Sequence, residues 1–143
     1  MIVNYMPTKL YIKKSGIQGA GTGLFTGELI KKGTSIIEYT GHIITWKKVL
    51  ETEKLTGVSN HYIYYVNRNH VIDASEYPDL LARYINDARG LSKTRGVVNN
   101  CKFTEKGKHV FIEALKDILP EKELLISYGK EYWDVIKINK NLK

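Results

Sequence analysis

The sequence predicts a mainly β fold, or an α+β fold with a dominant β part, built from short strands and one or two short helices. Runs of β-branched and aromatic residues alternate with turn-forming Gly, Asn and Pro, which is typical of short strands. No regular helical pattern separates these runs, so a βαβ architecture is not expected. The predicted strands are Lys9–Lys13, Thr34–Tyr39, Tyr62–Asn67, His70–Ala74, Lys108–Ala114 and Leu124–Tyr128.

Two segments carry helical signals. Trp46–Leu55 has apolar residues at helical spacing between charged ones, and Gly57 follows at a position that suits a helix C-cap. Pro78–Ile85 is predicted to form one short helix. The glycine-dense stretch Ser15–Gly27 and the polar stretch Gly90–Asn100 are interpreted as turns and loops.

Length and composition indicate one folded domain. The chain has 143 residues, of which 43% are hydrophobic, and this suits a single core. We assign the core to about residues 9–133 and a short tail to residues 134–143. No apolar run approaches the ~20 residues of a membrane helix, and the N-terminus lacks a signal-peptide pattern. We therefore expect an intracellular protein with no membrane segment.

The cysteine and histidine residues predict neither a disulfide nor a metal site. Cys101 is the only cysteine, which excludes an internal disulfide and a cysteine-rich zinc site. The histidines, His42, His61, His70 and His109, show no ligand spacing. We expect surface or loop positions for them and no bound metal.

The net charge favours acidic partners. Lys and Arg number 22 against 15 Asp and Glu, which gives +7. Such a charge suits contact with nucleic acid or an acidic protein face. The lysines are scattered rather than gathered in a stripe, so direct nucleic-acid recognition is not the leading interpretation.

The glycines between Gly19 and Gly23 do not form a dinucleotide or phosphate loop. The dinucleotide fingerprint requires G-x-G-x-x-G at the start of a helix, whereas the spacing here is G-x-G-x-G and Leu24-Phe25 follows. A P-loop would end in Gly-Lys-Ser/Thr, which is absent. By themselves these glycines indicate a turn that requires positive φ.

Four separated segments carry short motifs in a fixed order. They are Ser15-Gly16-Ile17 with Gly21-Thr22-Gly23-Leu24-Phe25; Ile37-Glu38-Tyr39-Thr40-Gly41; Ile72-Asp73-Ala74 with Ala82-Arg83-Tyr84-Ile85-Asn86 and Asn99-Asn100-Cys101; and Glu123-Leu124-Leu125-Ile126-Ser127-Tyr128-Gly129. Together they resemble the S-x-I-x-G-x-G-L-F, E-Y-x-G, I-D-A, A-R-F-I-N-H-S, P-N-C and E-L-T-F-D-Y-G motifs of the SET-domain protein lysine methyltransferases. The similarity covers nearly the whole chain.

The resemblance implies a β-clip-like SET fold, in which small curved β-sheets surround a pseudoknot crossing. The segment that holds Asn86 is expected to pass beneath the segment that holds Tyr128. S-adenosylmethionine and substrate are expected to enter from opposite faces and meet in a narrow channel. The cofactor residues implied by the matching motifs are Ala20, Gly21, Thr22, Gly23, Tyr62, Arg83, Asn86, Asp87 and Tyr132.

The same resemblance implies that Tyr128 and Tyr39 are the catalytic tyrosines of the channel. A lysine amine has a pKa near ~10.4, and an apolar channel lowers it by disfavouring the ammonium. Tyrosine provides a flat apolar face and one hydroxyl that can orient the amine. Phe103 and Ile126 are expected to line the channel without adding a hydroxyl, which predicts a di- or trimethylated product.

Several positions depart from the family pattern. Asp87 replaces the family histidine and Arg89 its cysteine, and the Gly90–Val98 loop is longer than usual. The cysteine-rich modules that flank many SET domains are absent from the chain. We expect the tail Trp133–Lys143, or the second subunit of a homodimer, to close the channel instead, as in minimal viral and bacterial SET proteins.

The expected substrate is a protein, with a histone tail as the leading candidate. A histone substrate would place the protein in the nucleus or a host nucleus, in contact with chromatin or nucleosomal DNA, and another substrate would place it in the cytoplasm. Three alternatives remain: a methyltransferase of a non-histone protein, a degenerate SET domain that binds a peptide without catalysis, and a basic β-domain that binds nucleic acid. The last predicts a steep salt dependence of DNA affinity.

Overall fold

Nine strands, one α-helix and one short 3₁₀ helix make up the part of the chain that the computed structural model describes, residues 9–89 and 96–129. In chain order they are β1 (Leu10–Lys14), β2 (Thr22–Thr26), β3 (Ser35–Tyr39), β4 (His42–Ile44), α1 (Trp46–Thr56), β5 (Ile63–Asn67), β6 (His70–Asp73), the 3₁₀ helix Leu81–Tyr84, β7 (Cys101–Lys106), β8 (His109–Ala114) and β9 (Glu123–Leu124).

The strands form three small antiparallel sheets. Their orders are β1-β2-β9, β3-β8-β7 and β4-β6-β5. The prediction of a mainly β fold with small sheets is therefore confirmed. No helix in the described ranges is long and apolar enough to cross a membrane.

The α-helix α1 has a defined cap at each end. The Thr45 hydroxyl accepts a hydrogen bond from the Lys48 N–H at 3.1 Å, which satisfies one of the free amides of the first turn. The helix ends at Gly57, whose φ of 71° and whose N–H bond to the Glu53 carbonyl form a left-handed cap. The predicted helix and its C-cap are confirmed.

The predicted second helix over Pro78–Ile85 is wrong in extent and type. Leu80 has ψ 106° and Ile85 has ψ 129°, so both residues are extended and only Leu81–Tyr84 forms a 3₁₀ turn. The reason is tertiary, because the chain must leave this turn extended to enter the crossing described below.

The strand predictions found β1, β3, β5, β6 and β8 and missed β2, β4 and β7. Strand β2 lies inside the glycine-dense stretch, and β7 carries three charged residues, Lys102, Glu105 and Lys106. The predicted strand Leu124–Tyr128 is too long, because β9 ends at Leu124. Beyond Leu124 the chain leaves the sheet.

One core of buried residues joins the three sheets. Its fully buried members include Leu24, Ile36, Ile112 and Leu124. Ile118 is also buried and pairs with Ile30.

Gly41 lies between β3 and β4, against the backbone of β6. We predict that Gly41→Ala destabilises the fold. A Cβ at this position would overlap the Asp73 carbonyl, which is rigid backbone. We expect a loss of about 1–3 kcal/mol in the free energy of unfolding, measured by thermal or denaturant unfolding. Gly27→Ala is the control, because its added Cβ would approach other atoms no closer than 3.4 Å. Equal stability of the two variants would contradict this account.

Candidate active site

The segment after β9 passes between two chain segments that are distant in sequence. Leu125 forms a parallel bridge with Asn86, and Ile126 forms one with Cys101. The Ile126 N–H donates to the Asn86 carbonyl at 2.8 Å, and the Cys101 N–H donates to the Leu125 carbonyl at 2.9 Å. This arrangement is the crossing that the family resemblance implies.

Two adjacent asparagines supply side-chain hydrogen bonds at the crossing. Asn100 donates through Nδ2 to the Glu123 carbonyl at 3.0 Å and accepts the Leu125 N–H at 2.9 Å. Asn99 accepts the Ala88 N–H at 2.8 Å. An amide side chain suits this place because it can donate and accept at once, as a neighbouring strand would. The motif Asn99-Asn100 therefore has a structural role that the sequence left unassigned.

Asp87, which replaces the family histidine, connects three parts of the crossing. Its Oδ1 accepts the Arg89 N–H at 2.8 Å and the Asn99 Nδ2 at 3.0 Å. Its Oδ2 accepts the Tyr128 N–H at 2.9 Å. The side chain is buried, and such donors are what a buried carboxylate needs.

Tyr128 is held at both its backbone and its side chain. Its N–H is bound by Asp87, and its hydroxyl donates to the Ile85 carbonyl. The half-buried ring packs against the main core. Gly129 follows with φ 92°, a conformation that lets the chain turn away directly after the tyrosine. The position of Tyr128 is thus fixed by the segment that passes beneath it.

The glycine loop is joined to the same crossing. Asn86 donates through Nδ2 to the Thr22 carbonyl at 3.0 Å, and the Ser15 N–H donates to the Gly21 carbonyl at 2.7 Å. Gly21 is exposed with φ 72°, as expected for a turn that requires positive φ. Ala20 is half-buried beside a small apolar cluster that contains Ala88.

Gly23 lies against the side chain of Glu123, to which the sequence interpretation assigned no role. A Cβ at Gly23 would overlap the carboxylate of Glu123. That carboxylate accepts the Ser15 hydroxyl at 2.7 Å and the Gly16 N–H at 3.0 Å. Glu123 opens the Glu123–Gly129 motif, so its presence in a motif was the available signal.

Tyr62 and Arg83 form a unit of their own beside the 3₁₀ helix. The guanidinium lies over the Tyr62 ring, 4.1 Å from its centroid. It also donates to the Ala74 and Ser75 carbonyls at 3.0 and 2.9 Å. The buried Arg83 Nε has no partner among the described residues. The protein itself therefore fixes most of this side chain.

An aromatic cluster of Tyr39, Tyr64 and Phe103 lies on the inner side of the sheets. The Tyr64 and Phe103 ring centroids are 4.8 Å apart, and Tyr39 lies 6.5 and 6.4 Å from them. Ile126 is fully buried in the adjoining core, which Tyr128 also contacts. The structure thus brings Tyr39 and Phe103 together, and adds Tyr64. The alternation of β5 was the signal for Tyr64, which pairs with Ile72.

Some expected residues are not part of this arrangement. Tyr132, the tail 133–143 and residues 90–95 of the long loop lie outside the described residues. No group of three metal-ligating side chains occurs within residues 9–89 and 96–129. A groove of about 650 Å³ lies elsewhere, between Lys13, Lys116 and Lys122, and none of the residues expected to form the channel lines it.

We predict that Asp87→Ala destabilises the crossing. The substitution leaves the Tyr128 N–H, the Arg89 N–H and the Asn99 amide without their acceptor. Hydrogen bonds to charged groups contribute about 1.5–3 kcal/mol each, so we expect a loss of about 3 kcal/mol or more. Chemical denaturation measures it, with the exposed Asp79→Ala as control. A loss no larger than that of the control would show that Asp87 does not hold the crossing.

Comparisons with known proteins agree with this geometry. The SET-domain family profile matches residues 21–129. Histone-lysine N-methyltransferase ASHH1 of Arabidopsis thaliana is 37% identical over 139 residues, covering 94% of this chain and 26% of that protein. N-lysine methyltransferase KMT5A-A of Danio rerio is 29% identical over 123 residues, covering 79% of this chain and 33% of that protein. The chain thus spans about a quarter to a third of these relatives.

Two solved structures share the fold. The methyltransferase domain of human PR domain-containing protein 2 matches with a TM-score of 0.61 at 25% identity, covering 87% of this chain and 79% of that one. A humanized mutant of the Chaetomium thermophilum Polycomb Repressive Complex 2, bound to the inhibitor GSK126, matches with a TM-score of 0.64 at 27% identity, covering 84% and 15%. The profile match, the crossing and these relatives together show that the chain belongs to the SET-domain family.

Proposed function

We propose that this chain is a protein lysine N-methyltransferase that uses S-adenosylmethionine, with Tyr128 at its catalytic centre. The observation that carries the proposal is the fixed position of Tyr128, whose N–H and hydroxyl are both bound by residues 85–87. The similarity to proteins named as histone-lysine and N-lysine methyltransferases supports the same reaction class.

The residues of the glycine loop fit the proposed cofactor. Gly21 is exposed, and a Cβ added there would meet no atom within 4 Å, so a ligand can approach this backbone closely. Asn86 keeps the loop against the crossing through its bond to Thr22. When bound, S-adenosylmethionine supplies an electrophilic methyl group on its sulfonium sulfur. The proposed cofactor residues are Ala20, Gly21, Thr22, Gly23, Tyr62, Arg83, Asn86, Asp87 and Tyr132.

Tyr39, Tyr128 and Phe103 are the proposed walls of the lysine channel. Their apolar faces disfavour a protonated amine and therefore lower the pKa of a lysine that enters. Tyr128 orients the amine through its hydroxyl rather than accepting its proton, because a phenol with a pKa near ~10 remains protonated at neutral pH. The narrow channel also aligns the lysine nitrogen for attack, and this orientation contributes to the rate of methyl transfer.

A direct test is transfer of a labelled methyl group from S-adenosylmethionine to histones, nucleosomes and a whole-cell lysate. We expect label on lysine, with the site mapped by mass spectrometry. A folded protein that labels none of these substrates would contradict the proposed function. If such a protein still bound a peptide, it would instead be a non-catalytic binding module.

We further propose a histone tail as the first candidate substrate and a nuclear, chromatin-associated location. The named histone-lysine methyltransferase among the relatives supports this. The net charge of +7 suits additional contact with nucleosomal DNA, and a homodimer is the proposed means of closing the channel.

We predict that Tyr128→Phe lowers turnover by about two orders of magnitude, because it removes a hydroxyl positioned at the reacting amine. Calorimetric binding of S-adenosylmethionine should persist, since the glycine loop is unchanged. The control is Tyr84→Phe, which also removes a hydroxyl bound to a carbonyl, that of Pro78 at 2.7 Å. Near-normal turnover by Tyr128→Phe would refute the assignment.

We predict a di- or trimethylated product. Neither Phe103 nor Ile126 carries a hydroxyl that could hold water in the space a second methyl group needs. Phe103→Tyr adds such a hydroxyl and should shift the product toward monomethyl-lysine in intact-mass measurements. A wild-type protein that yields only monomethyl-lysine at long reaction times would contradict the prediction.

A further inference from the structure

Glu105 lies on the same face of a sheet as the proposed channel residues. Side chains alternate along β7, so Cys101, Phe103 and Glu105 point to one side. In the β3-β8-β7 sheet Tyr39 pairs with Val110, and Val110 pairs with Glu105. Tyr39 and Glu105 therefore occupy one row across the sheet, separated by a single strand.

The other two carboxylates of this sheet differ from Glu105 in face and partner. Glu38 pairs with Phe111, and Glu113 pairs with Lys102, which places both on the opposite face. The Glu38 carboxylate lies 2.9 Å from the Nδ1 atom of His109, and Glu113 forms an ion pair with Lys102 at 3.3 Å. Within the described residues, Glu105 is exposed and forms neither an ion pair nor a side-chain hydrogen bond.

Aromatic rings lie beside this carboxylate. Phe103 precedes it by two positions on the same face, and the Tyr64 ring is 4.8 Å from the Phe103 ring. Burial raises the pKa of the Tyr64 phenol, and the negative charge of Glu105 raises it further. An exposed carboxylate beside two aromatic rings attracts a cation, most effectively a planar guanidinium.

The distance across the sheet decides which cation this place suits. Adjacent strands lie about 4.8 Å apart, so Glu105 is about 10 Å from Tyr39 at the backbone. An extended peptide advances about 3.3 Å per residue, so a side chain within about three positions of the target lysine reaches Glu105. The reacting amine itself does not suit this place, because a carboxylate beside it would favour the protonated form.

We propose that Glu105, together with Tyr64 and Phe103, binds an arginine side chain within three positions of the target lysine and so selects basic substrate segments. The inference rests on the proposed function, since it assumes a lysine in the adjoining channel. It also gives a protein of net charge +7 a local means of attracting a basic peptide.

The test uses alanine-rich peptides with one lysine and one arginine, the arginine placed at each position from three before to three after the lysine. For the wild-type protein we expect one or two arginine positions to raise kcat/KM at least about tenfold over an arginine-free peptide. Glu105→Gln should abolish this preference mainly through KM, with kcat on the arginine-free peptide unchanged. Glu105→Arg should prefer the matching peptide in which glutamate replaces arginine.

Glu51→Gln is the matched control, because it removes the same charge from the exposed surface of α1. Trp46 of α1 makes a T-shaped, edge-to-face contact with Tyr65. The Tyr65 side chain points to the opposite face of β5 from Tyr64, so this control lies away from the cluster. Because Glu51 and Glu105 are exposed, all three variants should unfold at temperatures close to that of the wild-type protein.

Two outcomes would overturn the inference: no arginine position that raises affinity or kcat/KM, or an unchanged preference in Glu105→Gln. Fluorescence anisotropy of the same labelled peptides separates this result from the reaction itself. If the arginine preference appears in binding without methyl transfer, the proposed function fails and the recognition site stands. If the arginine-free peptide is methylated at the same rate as every arginine-containing peptide, the proposed function stands and the recognition site fails.

Discussion

The hydrogen bonds of one buried carboxylate hold the candidate site together. Asp87 accepts donors from its own turn, from Asn99 and from the backbone of Tyr128. These groups come from three chain segments whose only β pairing is two isolated bridges, Asn86 with Leu125 and Cys101 with Ile126. A carboxylate suits such a point, because it offers several acceptor sites to convergent N–H groups and each charge-assisted bond is stronger than a neutral one.

The crossing also joins the two halves of the site. Asn86 binds the glycine loop on one side, and its own carbonyl accepts the Ile126 N–H on the other. Tyr128 follows two residues later, next to the core that supports Tyr39 and Phe103. The proposed cofactor loop and the proposed channel are therefore fixed relative to each other by only a few residues. Three small sheets that share one core supply the rigid support for them.

Local patterns were sufficient for much of the fold. Strands β3, β5, β6 and β8 and the capped helix α1 follow from side-chain alternation, β-branching and Gly57. Strands β2 and β7 were missed because their stability comes from neighbours: Leu24 lies between Ile12 and Leu124, and Phe103 pairs with Ile112. The extent of β9 was wrong for a similar reason, since the crossing takes the chain out of the sheet after Leu124.

The candidate site was predictable in its motifs but not in its contacts. Tyr128 and Asn86 could be named from motif order, whereas the bond from Tyr128 to Asp87 joins residues 41 positions apart. The sequence showed Asp87 only as a departure from the family histidine, whereas in the structure its carboxylate accepts three hydrogen bonds. Gly23 was interpreted as a cofactor residue, and in the structure the Glu123 carboxylate occupies the place that a Cβ on Gly23 would take. No local pattern in the sequence contains that contact.

We expect a crossing held by Asp87 to leave a competent cofactor site, even though the family histidine is absent. Calorimetric titration of S-adenosylmethionine into the wild-type chain and into Asp87→His tests it most directly. We expect saturable binding at one site per wild-type chain, and no gain in affinity when the histidine is restored. A folded wild-type protein that does not bind the cofactor, while Asp87→His does, would contradict it.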